Sequence, residues 1–240
     1  MKTEKFTLNE ERNVTLTSYI QDLSSEMEHL NKRPAVLVIP GGGYYMCSDR
    51  EAEPIALAFM AEGYNAFVLR YSIKEDSIFQ NPLDDACKAI SFIRENAEKF
   101  NIIPDKIAAI GFSAGGHLCA YLSNTEEYRP NASILCYPSI LDSMAPVLFN
   151  HDMTNLNELV TEDTPPTFLF STCKDNVVPI MNSVKYMEAL AENEVPFECH
   201  IFENGAHGLA LAKNATGAIN KEASQWVRLC LDWLNNIFNF

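Results

Sequence analysis

Short β-branched runs alternate along this chain with amphipathic stretches of helical period. That alternation constrains the fold more than any other feature, because strands joined by helical crossovers run parallel in a single sheet. Strands are expected at about Val14–Ile20, Ala35–Ile39, Ala66–Arg70, Ile107–Ile110, Ile134–Tyr137, Thr167–Ser171 and Phe197–Phe202. Helices are expected at about Glu53–Glu62, Leu83–Phe100, Ser113–Ser123, Pro179–Asn193 and Ala218–Ile237. The run Ala35–Ile39 is apolar throughout, as suits a strand covered on both faces. In the second helix Leu83, Cys87, Ile90, Ile93, Ala97 and Phe100 recur at steps of three and four and define one buried stripe. The last helix repeats the device with Ile219, Ala223, Trp226, Cys230, Trp233 and Ile237, which makes its two tryptophans core residues. The expected class is α/β, a mainly parallel sheet flanked by helices on both faces.

At 240 residues the chain suits one large domain. One segment breaks the rhythm: 139–166 has weak periodicity and is longer than a plain connection, which reads as a small insertion over a site. The net charge of −14 repels phosphates and anionic headgroups, so nucleic-acid and membrane-surface roles are disfavoured. No run reaches the 18 or more apolar residues of a membrane span, and the charged start lacks the apolar core of a secretory signal. The seven cysteines are odd in number and lack metal-ligand spacing, which predicts reduced thiols and a cytoplasmic location.

Glycine is scarce, and eight of the ten residues fall in three short segments: Gly41–Gly43, Gly111 with Gly115–Gly116, and Gly205 with Gly208. Each segment follows an expected strand, where open parallel sheets place their ligands. The middle one, Gly111-Phe112-Ser113-Ala114-Gly115, has the strand-turn-helix context of a nucleophile elbow, which lifts a serine hydroxyl above the sheet. The first, Pro40-Gly41-Gly42-Gly43-Tyr44, suits backbone N–H groups turned toward a developing oxyanion, with Ala114 supplying another. A phosphate loop is the competing reading, but neither Gly-Lys-Ser/Thr nor GxGxxG spacing is present.

A serine nucleophile needs a general base, and His207 in the third loop is the favoured one. His200 falls within a strand, His29 near the N-terminus and His151 in the insertion. His117, one helical turn after Ser113, is expected to pack or cap beneath the elbow. Asp175, just beyond the strand Thr167–Ser171, is the expected acid in preference to Asp142, Asp163 or Glu203. The order Ser113, Asp175, His207 differs from the two common protease orders.

At these residues the sequence resembles α/β-hydrolase esterases known as acetyl-xylan esterases or sugar-ester hydrolases, which are similar to the hormone-sensitive-lipase group. The matching segments are Pro40–Tyr44, Arg50–Pro54, Leu69–Tyr71, Gly111–Leu118, Thr164–Phe168 and Gly205–Gly208, with Pro40 in the position usually held by histidine. The resemblance implies Ser113 as nucleophile, Asp175 and His207 as its partners, and Gly42, Gly43 and Ala114 as oxyanion donors. It also implies hydrolysis of a short ester, acetyl on a sugar or xylo-oligosaccharide, with no metal or organic cofactor. The expected partner is a small-molecule ester, and a homo-oligomer is left open. Tyr44, Tyr45 and the segment around Phe149–Asp152 are candidates to line the pocket. An arylformamidase or serine peptidase, acyl transfer to an alcohol, and a catalytically silent binding protein on the same fold are the rival readings.

Overall fold

Alternation of side chains along a strand lets one strand serve two cores, and β3 (Arg33–Ile39) does so. Its Ala35, Leu37 and Ile39 enter one apolar cluster while Val36 and Val38 enter another. The computed structural model describes residues 1–78, 80–149 and 154–240. Its sheet comprises β1 (Lys2–Asn9), β2 (Val14–Ile20), β3, β4 (Asn65–Arg70), β5 (Ile102–Phe112), β6 (Ala132–Cys136), β7 (Thr167–Thr172) and β8 (Phe197–Phe202). The strand order is β1-β2-β4-β3-β5-β6-β7-β8. All pairings from β4 to β8 are parallel, and β1/β2 and β2/β4 are antiparallel.

Helices cover both faces, as the sequence predicts. One cluster takes the buried stripes of α2 (Gln80–Glu95), α3 (Ala114–Ser123) and α4 (Met181–Glu192). The other takes α1 (Glu53–Met60) and α5 (Trp226–Phe238). Trp226 and Trp233 are buried there, and Trp226 stacks on Phe170 with ring centroids 4.6 Å apart. Burying each such large apolar side chain stabilises the fold by roughly 1.5–3 kcal/mol.

Three expectations are corrected. The strand β1 escapes sequence reading because it is an edge strand whose residues are mostly exposed and polar, which weakens the alternation signal. The second helix ends at Glu95, where Asn96 turns its side chain onto the Phe92 carbonyl, although Ala97 and Phe100 remain buried beyond it. The last helix begins at Trp226 and not at Ala218. Gly217 adopts a left-handed φ of 76°, and the Asn220 side chain accepts from Ala223 N–H while donating to the Asn204 carbonyl. Ile219, placed by periodicity on the buried face, is 76% exposed.

All seven cysteines are free thiols, with Cys119, Cys136 and Cys230 buried and Cys173 exposed. Among the described residues no helix is long and apolar enough to cross a membrane.

Candidate active site

The C-terminal ends of β3, β5, β7 and β8 bring the three glycine-rich loops and the Asp175 turn to one edge of the sheet. At the end of β5 the chain reverses into α3 through Ser113, held at φ 53° and ψ −116°. Sparsely populated backbone geometry of this kind persists only where the surroundings enforce it. Close packing does so here: a Cβ at Gly111 would stand 2.1 Å from the Gly115 carbonyl oxygen, and one at Gly115 would stand 2.2 Å from that of Ile39. Ser113 N–H donates to the Cys136 carbonyl at 3.0 Å, tying the turn to β6.

His207 Nε2 lies 2.8 Å from Ser113 Oγ, and its Nδ1 lies 2.8 Å from Asp175 Oδ2. An ionised carboxylate only accepts, so Nδ1 carries the proton and Nε2 presents its lone pair to the serine hydroxyl. Asp175 is itself fixed: its Oδ1 accepts from Val177 N–H at 2.8 Å and Val178 N–H at 2.9 Å. The His207 backbone N–H donates to Asn176 Oδ1 at 3.1 Å, which ties the β8 loop to the β7 turn. The rival carboxylates point elsewhere, Asp163 toward Arg129 and Glu203 toward Lys174, while Asp142 opens an outlying 3-10 turn. His200 pairs with Glu198, and His151 lies outside the described residues.

Beside Ser113 the Gly41–Gly43 loop turns through φ of 129° at Gly42 and 64° at Gly43. Tyr45 and Met46 N–H close it onto the Gly42 carbonyl. Among the described residues no protein group accepts from the N–H of Gly42, Gly43 or Ala114. A cavity of about 230 Å³ is lined by Gly42, Gly43, Met46, Ser113, Val147 and His207 among others. Val147 and Leu148 of the 139–166 segment form part of its wall, and Phe149 N–H donates to the Gly43 carbonyl at 2.8 Å.

Two expectations about the pocket change. Tyr44 is fully buried, not pocket-lining: its left-handed φ of 60° turns the ring down, and its hydroxyl meets His117 Nδ1 at 2.8 Å. His117 thus packs beneath the elbow as expected, with its N–H on the Ser113 carbonyl. Tyr45 is 55% exposed, set edge-on to Phe149 with Lys74 Nζ over its ring, and does not line the cavity. Of Phe149–Asp152, residues 150–152 lie outside the described residues.

Sequence reading missed Glu51 and Tyr137. Glu51 is buried on the 3-10 turn Asp49–Glu51, where Oε2 accepts from Gly41 N–H at 2.9 Å and Oε1 from the Tyr137 hydroxyl at 2.7 Å. Burial pushes its carboxyl above the ordinary value, while those two donors and the charges of His207 and Arg50 pull it back. Helical period does not flag it, because Glu51 precedes α1 and is set off from it by Ala52 at φ −110° and ψ −106°. Among the described residues no group of three or more His, Cys, Asp or Glu is arranged to hold a metal ion.

Comparison with known proteins bears on this site. Residues 21–137 match the BD-FAE family and residues 137–239 the prolyl oligopeptidase family. The chain is 39% identical over 212 residues to endo-1,4-beta-xylanase B of Butyrivibrio fibrisolvens, covering 76% of this chain and 33% of that protein. It is 28% identical over 225 residues to an acetylxylan esterase of Xylanibacter ruminicola, covering 85% and 45%. The chain therefore spans less than half the length of these two curated relatives. Among solved structures it superposes on MGS-M1, an alpha/beta hydrolase enzyme from a Medee basin deep-sea metagenome library, with a TM-score of 0.93, 43% identity and coverage of 100% and 99%. An acetyl ester-xyloside bifunctional hydrolase from Caldicellulosiruptor lactoaceticus gives a TM-score of 0.82 at 34% identity, covering 94% and 89%.

Proposed function

Because the chain belongs to the α/β-hydrolase family of enzymes, we propose that it is a serine carboxylesterase that removes short acyl groups, acetyl foremost, from sugars or xylo-oligosaccharides. The observation that carries the reading is the unbroken chain Asp175–His207–Ser113, with 2.8 Å at both links, opening on a cavity of about 230 Å³. Such a cavity is below the roughly 300–1,000 Å³ usual for drug-sized ligands, which suits a small acyl group. The sugar side draws support from the likeness to an acetylxylan esterase and to an acetyl ester-xyloside hydrolase.

In this reading Ser113 Oγ attacks the ester carbonyl as His207 Nε2 takes its proton. Asp175 holds the imidazole tautomer and stabilises the imidazolium. Negative charge gathers on the carbonyl oxygen, facing the amides of Gly42, Gly43 and Ala114. Each such preorganised donor is worth roughly 2.7–4 kcal/mol in acyl transfer. Collapse expels the alcohol, protonated by His207, and leaves an acyl-serine. Water activated by the same histidine then frees the acid. Val147, Leu148 and Met46 bound the space left for the acyl chain.

The test is a turnover screen over acetylated xylo-oligosaccharides, p-nitrophenyl esters of graded chain length and aminoacyl amides. Acetyl and propionyl esters are expected to give higher kcat/KM than octanoyl esters, and Ser113→Ala to lower kcat by about 10⁴–10⁶. A profile peaking at eight carbons or more, or amides turned over faster than acetyl esters, replaces the reading with a lipase or a peptidase.

A further inference from the structure

Glu51 touches neither end of the Asp175–His207–Ser113 chain, yet it stands between the glycine loop beside Ser113 and the Tyr137 turn that reaches the His207 loop. Its Oε2 accepts from Gly41 N–H, and Ser48 N–H donates at 2.9 Å to the Gly41 carbonyl from the other side. The first glycine of the loop is thus pinned at both of its backbone polar groups by the turn 48–51. There is no slack in this contact: a Cβ at Gly41 would lie 2.7 Å from Glu51 Oε2 and 3.0 Å from Ser113 Cβ. Whatever orients Gly41 also orients the next two amides relative to the serine.

The other carboxylate oxygen reaches the opposite loop. Tyr137, at a left-handed φ of 38° just past β6, donates its hydroxyl proton to Glu51 Oε1. The same hydroxyl oxygen accepts from Ala210 N–H at 2.9 Å, three residues beyond His207. The Ala210 carbonyl in turn accepts from Trp226 Nε1–H at 2.9 Å, at the start of α5. The Tyr137 ring also stands edge-on to the His207 ring, 5.1 Å between centroids. One carboxylate therefore joins the glycine loop to the histidine loop through a rigid aromatic spacer.

Both groups facing Glu51 are donors, an arrangement that an ionised carboxylate satisfies fully and a neutral amide cannot. A glutamine placed there must turn an N–H₂ toward Gly41 N–H or toward the tyrosine hydroxyl. Hydrogen bonds to an ionised acceptor are about twice as strong as neutral ones. Burying a charge is costly unless such bonds compensate it, so a charged residue in this position needs a reason beyond packing.

We propose that Glu51 is a positioning residue for catalysis, a buried carboxyl clamp that fixes the Gly42 and Gly43 amides and the His207 loop in register with Ser113. The inference rests on the esterase reading above and deepens it. The clamp acts on the oxyanion-bearing states and leaves ground-state binding alone, since Glu51 sets backbone amides whose partner forms only as the carbonyl becomes tetrahedral.

The experiment measures kcat and KM on p-nitrophenyl acetate together with Ki for a methyl trifluoromethyl ketone. In the inhibited complex Ser113 Oγ bonds to the ketone carbon, the serine proton passes to His207 Nε2 and the ketone oxygen becomes the oxyanion. Glu51→Gln is expected to lower kcat tenfold or more with KM within threefold, and to raise Ki by the factor lost in kcat/KM. Tyr137→Phe keeps the Gly41 bond and cuts the link to Ala210, so it should show a smaller loss with the same kcat-only signature. A folded Glu51→Gln protein with kcat and Ki within threefold of wild type overturns the proposal. So does a loss carried by KM with Ki unchanged. Should Glu51→Gln not fold, Tyr137→Phe decides: an unaltered kcat and Ki overturn the clamp. Ser113→Ala in the same assay separates the two claims, because an active Ser113→Ala defeats the esterase reading, whereas an inactive one beside an unaltered Glu51→Gln defeats only the clamp.

Discussion

Two carboxylates hold this site together, and they differ in almost everything but side-chain burial. Asp175 sits in a turn between β7 and α4, its side chain 3% exposed, with two backbone N–H groups on one oxygen and an imidazole on the other. Glu51 sits before α1 and is buried as a whole residue, whereas Asp175 buries its side chain but leaves its backbone part-exposed; Glu51 has a backbone N–H on one oxygen and a phenol on the other. The first has a titratable partner that changes charge during the proposed reaction, and the second has only fixed donors. An acid that faces an imidazole sets proton transfer, while one that faces amide and phenol donors sets geometry. The comparison therefore predicts unequal kinetic effects from two substitutions that look alike, aspartate to asparagine and glutamate to glutamine.

The largest expected effect separates them directly. Asp175→Asn preserves shape but favours the wrong imidazole tautomer, which in serine triads lowers kcat by about 10⁴. That is several orders beyond the loss expected for Glu51→Gln, and the comparison breaks if the two variants fall equally or in the reverse order. Parallel Asn or Gln substitutions at Asp142, Asp163 and Glu203 serve as controls, since none of those carboxylates is placed against His207. They should retain kcat within a few-fold.

A smaller effect tests whether fixing the His207 backbone matters as much as fixing its ring. Asn176 is exposed, and its Oδ1 accepts the His207 N–H at 3.1 Å. Removing one exposed hydrogen bond costs little, about 0.5–1.5 kcal/mol net. Asn176→Ala should therefore lower kcat less than tenfold without changing KM. A loss approaching that of Asp175→Asn would show that the loop, and not the carboxylate, dominates placement of the imidazole.

The same contrast explains what could be read from sequence. Asp175 was legible because it stands just past a short apolar strand and shares a sheet edge with three glycine-marked loops, so its position followed from the strand pattern and turn chemistry alone. Ser113 and His207 were legible for the same reason. Glu51 was not, because Asp49-Arg50-Glu51 reads locally as a solvated charged turn, and its burial depends on Tyr137, 86 residues away in sequence. Tyr44 failed in the opposite direction. Its place beside the glycines suggested a pocket residue, but a positive φ, invisible in the sequence, sends its ring into the core against Tyr71 and His117. Seven strands and five helices followed from side-chain period; β1 and the start of α5 did not, since an exposed edge strand and an asparagine-capped turn carry little apolar pattern.

The last prediction concerns stability and carries the smallest effect. Burial, acting first, raises the Glu51 carboxyl above its ordinary value of 4.5, against the opposing pull of Tyr137, Gly41, His207 and Arg50. Tyr71 and Cys136 are the other titratable groups that feel its charge. A carboxyl whose folded value is raised binds more protons in the folded chain than in the unfolded one between the two values. Stability from this group is therefore fully present below the unfolded value and is lost as pH rises through the folded value, levelling above it. Glu51→Gln has no such component. Thermal midpoints of the two proteins measured from pH 4 to pH 8 should thus shift in favour of the glutamine variant as pH rises through this window. Each kcal/mol gained appears as about 2–4 °C for a chain of this length. A rise in relative stability joined to a fall in kcat is the pattern of a charge kept for activity at the expense of the fold. If the midpoint difference is flat across the window, burial does not raise the Glu51 carboxyl, and keeping its charge costs the fold nothing.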